Sequence, residues 1–201
     1  DRALDDALAE RDLDPDAETR ALLAGHEYDV EFVRGCRRLD VDPVAFYGLR
    51  ERHGARLAID RLAVGSRTLY DVSSLGELAE RYPLGVVSNN YQDVVRFVID
   101  HHRLDAFDHV RGRATGVDGF YNRKPNPHYL LEAMSELDAA DGLYVGDRAT
   151  DVLAATRAGL ESVFVERPYN EDAALPVEPT LRVESIADLV ERLTDIEESV
   201  P

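Results

Sequence analysis

The chain has 201 residues, 44% apolar and 31% charged, with a formal net charge of −17 at pH 7. That balance describes a folded globular protein with room for a core domain and a smaller accessory one, and it argues against nucleic acid or an anionic membrane as partner. No apolar stretch approaches the roughly 20 residues that cross a bilayer, no signal-peptide pattern opens the sequence and a single cysteine excludes an internal disulfide, so the expected address is cytoplasmic.

Residues 1 to about 70 carry helical periodicity only. Ala3, Leu4, Ala7 and Leu8 give the first helix its apolar stripe. Asp14-Pro15-Asp16 marks a second start, followed by Ala21-Leu22-Leu23 and a stop at Gly25. Val30, Phe32, Val33, Cys36 and Leu39 continue the pattern, and Cys36 on that apolar side reads as a small core residue, not a nucleophile. Asp42-Pro43 opens a further stretch through Val44, Phe46, Tyr47 and Leu49, with Gly54 as a break before Ala55 to Ala63 and an end at Gly65. Residues 1–72 are therefore expected to form a small all-helical domain.

From residue 73 the rhythm changes to alternating helix and strand. A helix over 75–82 leads to a strand at 84–88, a helix at 91–103, a short strand around His109-Val110 and a turn rich in glycine (Gly112, Gly116, Gly119). Pro127 opens a helix over 127–137. A strand at 142–146, a helix at 151–158 ending on Gly159, strands at 162–165 and 181–183 and a last helix at 186–194 follow. This alternation predicts the α/β class: a Rossmann-like parallel sheet over 73–201, with function at the C-terminal ends of its strands.

Three groups of polar residues fall at those strand ends. Asp147 and Asp151 sit four apart where a strand gives way to a helix. Two carboxylates there suit a hard cation such as Mg²⁺, or else Asp151 caps the helix and Asp147 is a loop residue. Ser88, followed by Asn89 and Asn90, offers a hydroxyl and turn N–H groups to a phosphoryl oxygen, or serves as a plain N-cap. Lys124, in Arg123-Lys124-Pro125-Asn126-Pro127, is the one lysine against 22 arginines. A loop lysine is ordinarily a solvated charge, but its place between the other two groups assigns it to phosphate. The scarcity of lysine and the acidity spread along the chain read as halophilic adaptation, since at 1 M salt a Debye length of about 3 Å screens self-repulsion. The six histidines have no partner at metal-ligand spacing. Arg34, Arg37 and Arg38 read as a solvated helix face; with Tyr28 they are the residues of the helical region to scan for substrate contact.

Taken in order, Val86-Val87-Ser88-Asn89-Asn90, Arg123-Lys124-Pro125-Asn126-Pro127 and Tyr144-Val145-Gly146-Asp147-Arg148-Ala149-Thr150-Asp151 resemble three of the four motifs of the haloacid dehalogenase-like hydrolase superfamily. Leu104-Asp105-Ala106-Phe107-Asp108 and the run Val152-Leu153-Ala154-Ala155 to Ala158-Gly159 match it as well, so the resemblance spans roughly 73 to 170. The helical region resembles the cap that the superfamily inserts after its first motif. The resemblance implies Mg²⁺-dependent hydrolysis of a small phosphorylated metabolite through an aspartyl-phosphate. Ser88 and Asn89 would contact the phosphoryl group, Lys124 would neutralise its charge, and Asp147 and Asp151 would hold the metal directly or through water. That aspartate pair sets the chain nearer the phosphoglycolate-phosphatase-like branch than the metal-free dehalogenases.

The superfamily's first motif, an apolar strand ending Asp-x-Asp, has no match. Asp12-Leu13-Asp14 and Asp40-Val41-Asp42 follow polar helical residues and read as helix boundaries. In the superfamily that strand lies between those ending here at Ser88 and Gly146. Without it both would face a gap lined by unpaired backbone groups, each costing on the order of 1–3 kcal/mol. The expectation is that the nucleophile lies upstream of Asp1, on about 15–20 further residues, one strand and its loop; the chain alone would then not turn over. The rival is a non-catalytic domain of the same fold that binds a phosphorylated ligand or a protein partner. A receiver-like module is a weaker third reading: Lys124 and its proline-rich flank fit it less well, and the helical first third does not fit it at all. The sequence leaves phosphatase and phosphomutase, and the oligomeric state, undecided.

Overall fold

The computed structural model describes residues 1–65, 69 and 72–199. The chain divides into two compact units: the first comprises Asp1–Ser66, Asn90–Val98 and Gly112–Tyr121, the second Arg67–Asn89, Ile99–Arg111 and Asn122–Pro201. Among the described residues no helix is long and apolar enough to cross a membrane.

Helices α1 (Arg2–Glu10), α2 (Ala17–Leu23), α3 (Val30–Arg38) and α4 (Pro43–Val64) belong to the first unit. Each is opened by an aspartate. The carboxylates of Asp1, Asp16, Asp29 and Asp42 accept the N–H groups of Ala3, Thr19, Phe32 and Ala45 at 3.1, 2.7, 2.9 and 2.7 Å. A cap of this kind is worth about 1 kcal/mol because it satisfies a donor that the helix itself leaves orphaned. Asp42 is thus a cap, and Asp12 and Asp40 take positive φ (52° and 54°) just beyond α1 and α3, so both Asp-x-Asp pairs are helix boundaries. Helix α2 starts from the expected Asp14-Pro15-Asp16 segment, with Asp16 as its cap.

The apolar stripes meet in a core of Leu4, Ala7, Leu8, Leu23, Phe32, Cys36, Phe46, Tyr47 and Phe120. Phe32 and Tyr47 pack edge to face, with ring centroids 5.3 Å apart. Cys36 is fully buried, and burial pushes its thiol up to about 12. Arg50 is buried too, and its guanidinium donates to the carbonyls of Leu23 (3.0 Å) and Gly25 at the end of α2 and to the Asp1 carboxylate (2.6 Å). Helix α4 runs unbroken through Gly54, where a break was expected. A Cβ at Gly54 would lie 3.3 Å from the Tyr91 hydroxyl, so the glycine makes room for a neighbour and does not end the helix. Glu51, on the same helix, takes both Nη atoms of Arg113 (2.6 and 3.0 Å) and the Gly116 N–H (2.6 Å). This buried ion pair has its remaining acceptor sites filled, the condition under which such a pair is tolerated.

The rest of the chain opens with a 3₁₀ turn, Val72–Ser74, and then alternates: α5 (Leu75–Ala79), β1 (Gly85–Tyr91), α6 (Gln92–His102), β2 (His109–Arg113), α7 (Val117–Asn122), α8 (His128–Glu136), β3 (Leu143–Gly146), α9 (Ala149–Ala158), β4 (Glu161–Val165), β5 (Leu181–Val183) and α10 (Ile186–Ser199). Strands β3, β4 and β5 pair in parallel, with Val145 opposite Val163 and Val163 opposite Leu181. This is the Rossmann-like α/β arrangement that the alternation implies. Within it, Val87, Tyr129, Leu130, Ala133 and Ala154 form one buried cluster, and Val163, Val165, Val183 and Leu189 another.

Three local expectations are corrected. The strand expected to end at Ser88 continues to Tyr91. The glycine-rich stretch 112–119 contains the start of helix α7. The single sheet is two, β1–β2 and β3–β4–β5, and among the described residues β1 and β3 are not paired with each other. Leu84 O accepts from Asp108 N and His109 N (2.8 and 3.2 Å), so the carbonyl of Val87, three residues on, faces the opposite edge of β1.

The turn from β3 into α9 depends on Gly146. A Cβ there would lie 2.4 Å from the Cβ of Asp151, whose carboxylate folds back over the strand end to accept the N–H groups of Asp147 (3.2 Å) and Arg148 (3.0 Å). Gly146→Ala is expected to cost about 1–3 kcal/mol by overpacking, lowering Tm by roughly 2–4 °C for each kcal/mol; an unchanged Tm would show that Asp151 has another place to go. In the first unit, a thiol displaced to about 12 leaves roughly one molecule in 10⁴ ionised at pH 8. Iodoacetamide at that pH should therefore leave Cys36 unmodified in the native protein and alkylate it fully in urea, as intact mass would report.

Candidate active site

Ser88, Asn89, Lys124, Asp147 and Asp151 all lie in the second unit. Lys124 is at its centre. The side chain is buried, and its ammonium donates to Asp151 Oδ1 at 2.8 Å, to Val87 O at 3.1 Å and to the Tyr144 hydroxyl. An ammonium has three donors, and all three are used. A buried cation is tolerated only when paired and hydrogen-bonded in this way.

The backbone of Lys124 is fixed from β1. The Asn89 side chain gives Nδ2 to Lys124 O (3.0 Å) and takes Lys124 N on Oδ1 (2.8 Å), a two-point amide clamp on the lysine backbone. Asn89, placed by the sequence on the substrate, thus spends its side chain on holding the lysine loop. Ser88 lies half-buried within β1 and not at a helix N-cap.

Both alternatives for the aspartate pair contain part of the arrangement. Asp151 is buried at the third position of α9, and one oxygen caps the preceding turn while the other pairs with Lys124. Asp147 is half-buried in the loop that leaves β3. Its Oδ2 accepts from the Tyr169 hydroxyl, and Oδ1 carries no partner among the described residues. Asn170 braces the same loop, donating to Asp147 O (2.8 Å) and Val165 O (2.9 Å) while accepting from Arg167 N (2.7 Å). It therefore ties the exit of β3 to the exit of β4. Among the described residues no three or more His, Cys, Asp or Glu side chains gather as a metal cage.

The structure thus brings Lys124 together with Asp151 and Asn89, while Asp147 is joined to Asp151 through its backbone N–H. Arg34, Arg37 and Arg38 are exposed in the first unit, Arg34 and Arg38 paired with Glu31 and Glu18, while Tyr28 packs against that unit's core.

Three residues at the site were not assigned a part from the sequence. Tyr144 is the polar-tipped member of an otherwise apolar strand, which is a readable signal. Burial, reinforced by the Asp151 and Asp147 carboxylates, holds its phenol well above the ordinary tyrosine value and so protonated. Tyr169 and Asn170 sit in a polar loop whose sequence carries no periodicity, although the rule that function gathers at strand C-termini points to the exit of β4.

Residues 71–165 match the family model described as haloacid dehalogenase-like hydrolase. A phosphoglycolate phosphatase of Pectobacterium atrosepticum is 30% identical over 197 residues, which cover 94% of this chain and 82% of that protein. A dihydroxyacetone phosphatase of Corynebacterium glutamicum is 37% identical over 84 residues, 39% of this chain and 30% of the relative, so the match spans less than a third of that protein's length. The crystal structure of CbbY from Rhodobacter sphaeroides in complex with phosphate is similar with a TM-score of 0.59 at 21% identity, covering 94% of this chain and 87% of that one, a likeness of fold. With the fold, the order of its strand-end motifs and a relative matched along nearly its whole length in agreement, the chain belongs to the haloacid dehalogenase-like hydrolases.

Proposed function

We propose that this protein is a Mg²⁺-dependent phosphatase acting on a small phosphorylated metabolite, and that the unit built on β3, β4 and β5 carries its charge-stabilising half. The observation that carries this reading is the buried ammonium of Lys124 at the strand ends, oriented by three acceptors. Phosphoryl transfer asks a protein chiefly for positioned positive charge, and a preorganised buried cation supplies it without reorganisation during the reaction. The relatives' names, phosphoglycolate phosphatase and dihydroxyacetone phosphatase, support a small phosphorylated substrate.

The donor set fits a hard cation taking one or two carboxylates and completing its shell with water and phosphate oxygens. Asp147, with Oδ1 unclaimed, would ligate directly. Asp151, with both oxygens committed to Lys124 and to backbone N–H groups, would act through water. When bound, the metal would offset charge on the phosphoryl oxygens. Lys124 would neutralise charge on the same group, and the Ser88 hydroxyl would hold a further oxygen. Asn89 keeps the lysine loop in register with β1.

An aspartyl-phosphate route would need a nucleophilic carboxylate in addition to Asp147 and Asp151.

The protein made from its complete gene should hydrolyse p-nitrophenyl phosphate in high salt with Mg²⁺. EDTA should abolish turnover and excess Mg²⁺ restore it, while Lys124→Ala should lower kcat by about 10²-fold or more. Absence of turnover from the folded complete protein at all Mg²⁺ concentrations would overturn the phosphatase reading and leave a phosphate-binding domain.

A further inference from the structure

We propose that Asn170 is a positioning residue for Asp147: its amide fixes the main chain that aims this carboxylate at a bound cation. The metal-binding meaning of the proposal rests on the phosphatase reading above; the geometry does not.

Strand β4 ends one step beyond β3. The parallel register closes with Gly146 opposite Phe164, while Val165 still pairs with Val183 on β5. Glu166 N donates to Val183 O at 2.8 Å. Across a trans peptide the carbonyl and the next N–H point to opposite sides, so Val165 O is turned toward β3, which has already ended. Val165 is buried, and a buried carbonyl needs a donor. Asn170 Nδ2 supplies one at 2.9 Å.

That duty takes a single N–H, and a serine or threonine hydroxyl would meet it. The amide has a second N–H, which goes to Asp147 O at 2.8 Å, while its Oδ1 accepts from Arg167 N at 2.7 Å. Two donors and one acceptor on one flat group match two carbonyls and one N–H. Among side chains of this length only asparagine carries that set.

The second N–H bears on the carboxylate. Asp147 N is held by Asp151 Oδ2 at 3.2 Å. With its carbonyl held by Asn170, both main-chain polar groups of Asp147 are tied, one to α9 and one to the segment that follows β4. The Cα–Cβ bond that carries the carboxylate then has one direction. None of the Asn170 bonds uses a carboxylate oxygen or an atom of β1, so the brace and a cation on Asp147 coexist. Mg²⁺ demands near-ideal octahedral geometry, and partners that orient its ligands are commonly worth about 10–100-fold in affinity.

Asn170→Ala removes the brace and leaves every carboxylate in place. On the protein made from its complete gene, calorimetric titration with Mg²⁺ alone should give a Kd raised about tenfold or more. Turnover of p-nitrophenyl phosphate should fall at limiting Mg²⁺ and return to within about twofold of wild type at saturating Mg²⁺. A purely structural loss would lower turnover at every Mg²⁺ concentration.

An unchanged Kd in folded Asn170→Ala, or a loss of turnover that saturating Mg²⁺ does not restore, would overturn the proposal. Should Asn170→Ala not fold, the wild type decides: the Asn170 side-chain amide resonances should move during the Mg²⁺ titration with the calorimetric Kd, and their failure to move overturns the proposal. A wild type that binds Mg²⁺ without turnover would overturn the phosphatase reading alone, while the Kd still decides the part played by Asn170.

Discussion

The ion pair between Lys124 and Asp151 is the constraint around which the second unit is arranged. It joins a loop lysine to the first turn of α9, and the acceptors that complete it come from β1 and β3. A buried charge without such a set would cost several kcal/mol, so the four segments are obliged to keep their places together. Gly146 follows from the same constraint, since Asp151 can fold back over the strand only where no Cβ stands. So does the Asn89 clamp, which fixes the lysine's backbone as its neighbours fix its charge.

The first unit is organised by a different economy of acidic residues. Four aspartates open its four long helices, and two more sit at the positive-φ ends of α1 and α3. Part of the chain's negative charge is thus structural, and the four carboxylates at the helix N-termini also complement the helix dipoles. Cations are used inversely: Arg50 is drawn inside to collect the carbonyls that α2 leaves unpaired, and Arg113 is drawn inside to match Glu51.

Periodicity and capping carried most of the fold into view. Strand β5 and the α/β alternation were legible because apolar runs bounded by glycine and polar turns have few other readings. Lys124, Asp147 and Asp151 were legible as a group because their order and spacing at strand ends matched a known set. What local sequence could not carry was decided by partners distant in the chain. Gly54 looks like a breaker until Tyr91 is placed beside it. The division of one sheet into two was foreshadowed by the lack of an Asp-x-Asp strand. That side chains would cover the exposed carbonyl was not, because Tyr144 reads as a core residue until its hydroxyl has somewhere to go. Asn170 gave no signal at all: an asparagine in a polar loop is indistinguishable from any other until two strand exits converge on it.

Asn170 also has a bearing on how the protein ages. Asparagine side chains slowly lose their amide nitrogen when the following backbone nitrogen can attack them, leaving a carboxylate. Here the side chain is gripped by Asp147 O, Val165 O and Arg167 N, which holds it away from that attack for as long as the loop is folded. Were the amide lost, an acceptor-only carboxylate would confront two carbonyl oxygens with no proton between them, and the exits of β3 and β4 would be pushed apart. The loop carrying Asp147 therefore depends on this one side chain remaining an amide.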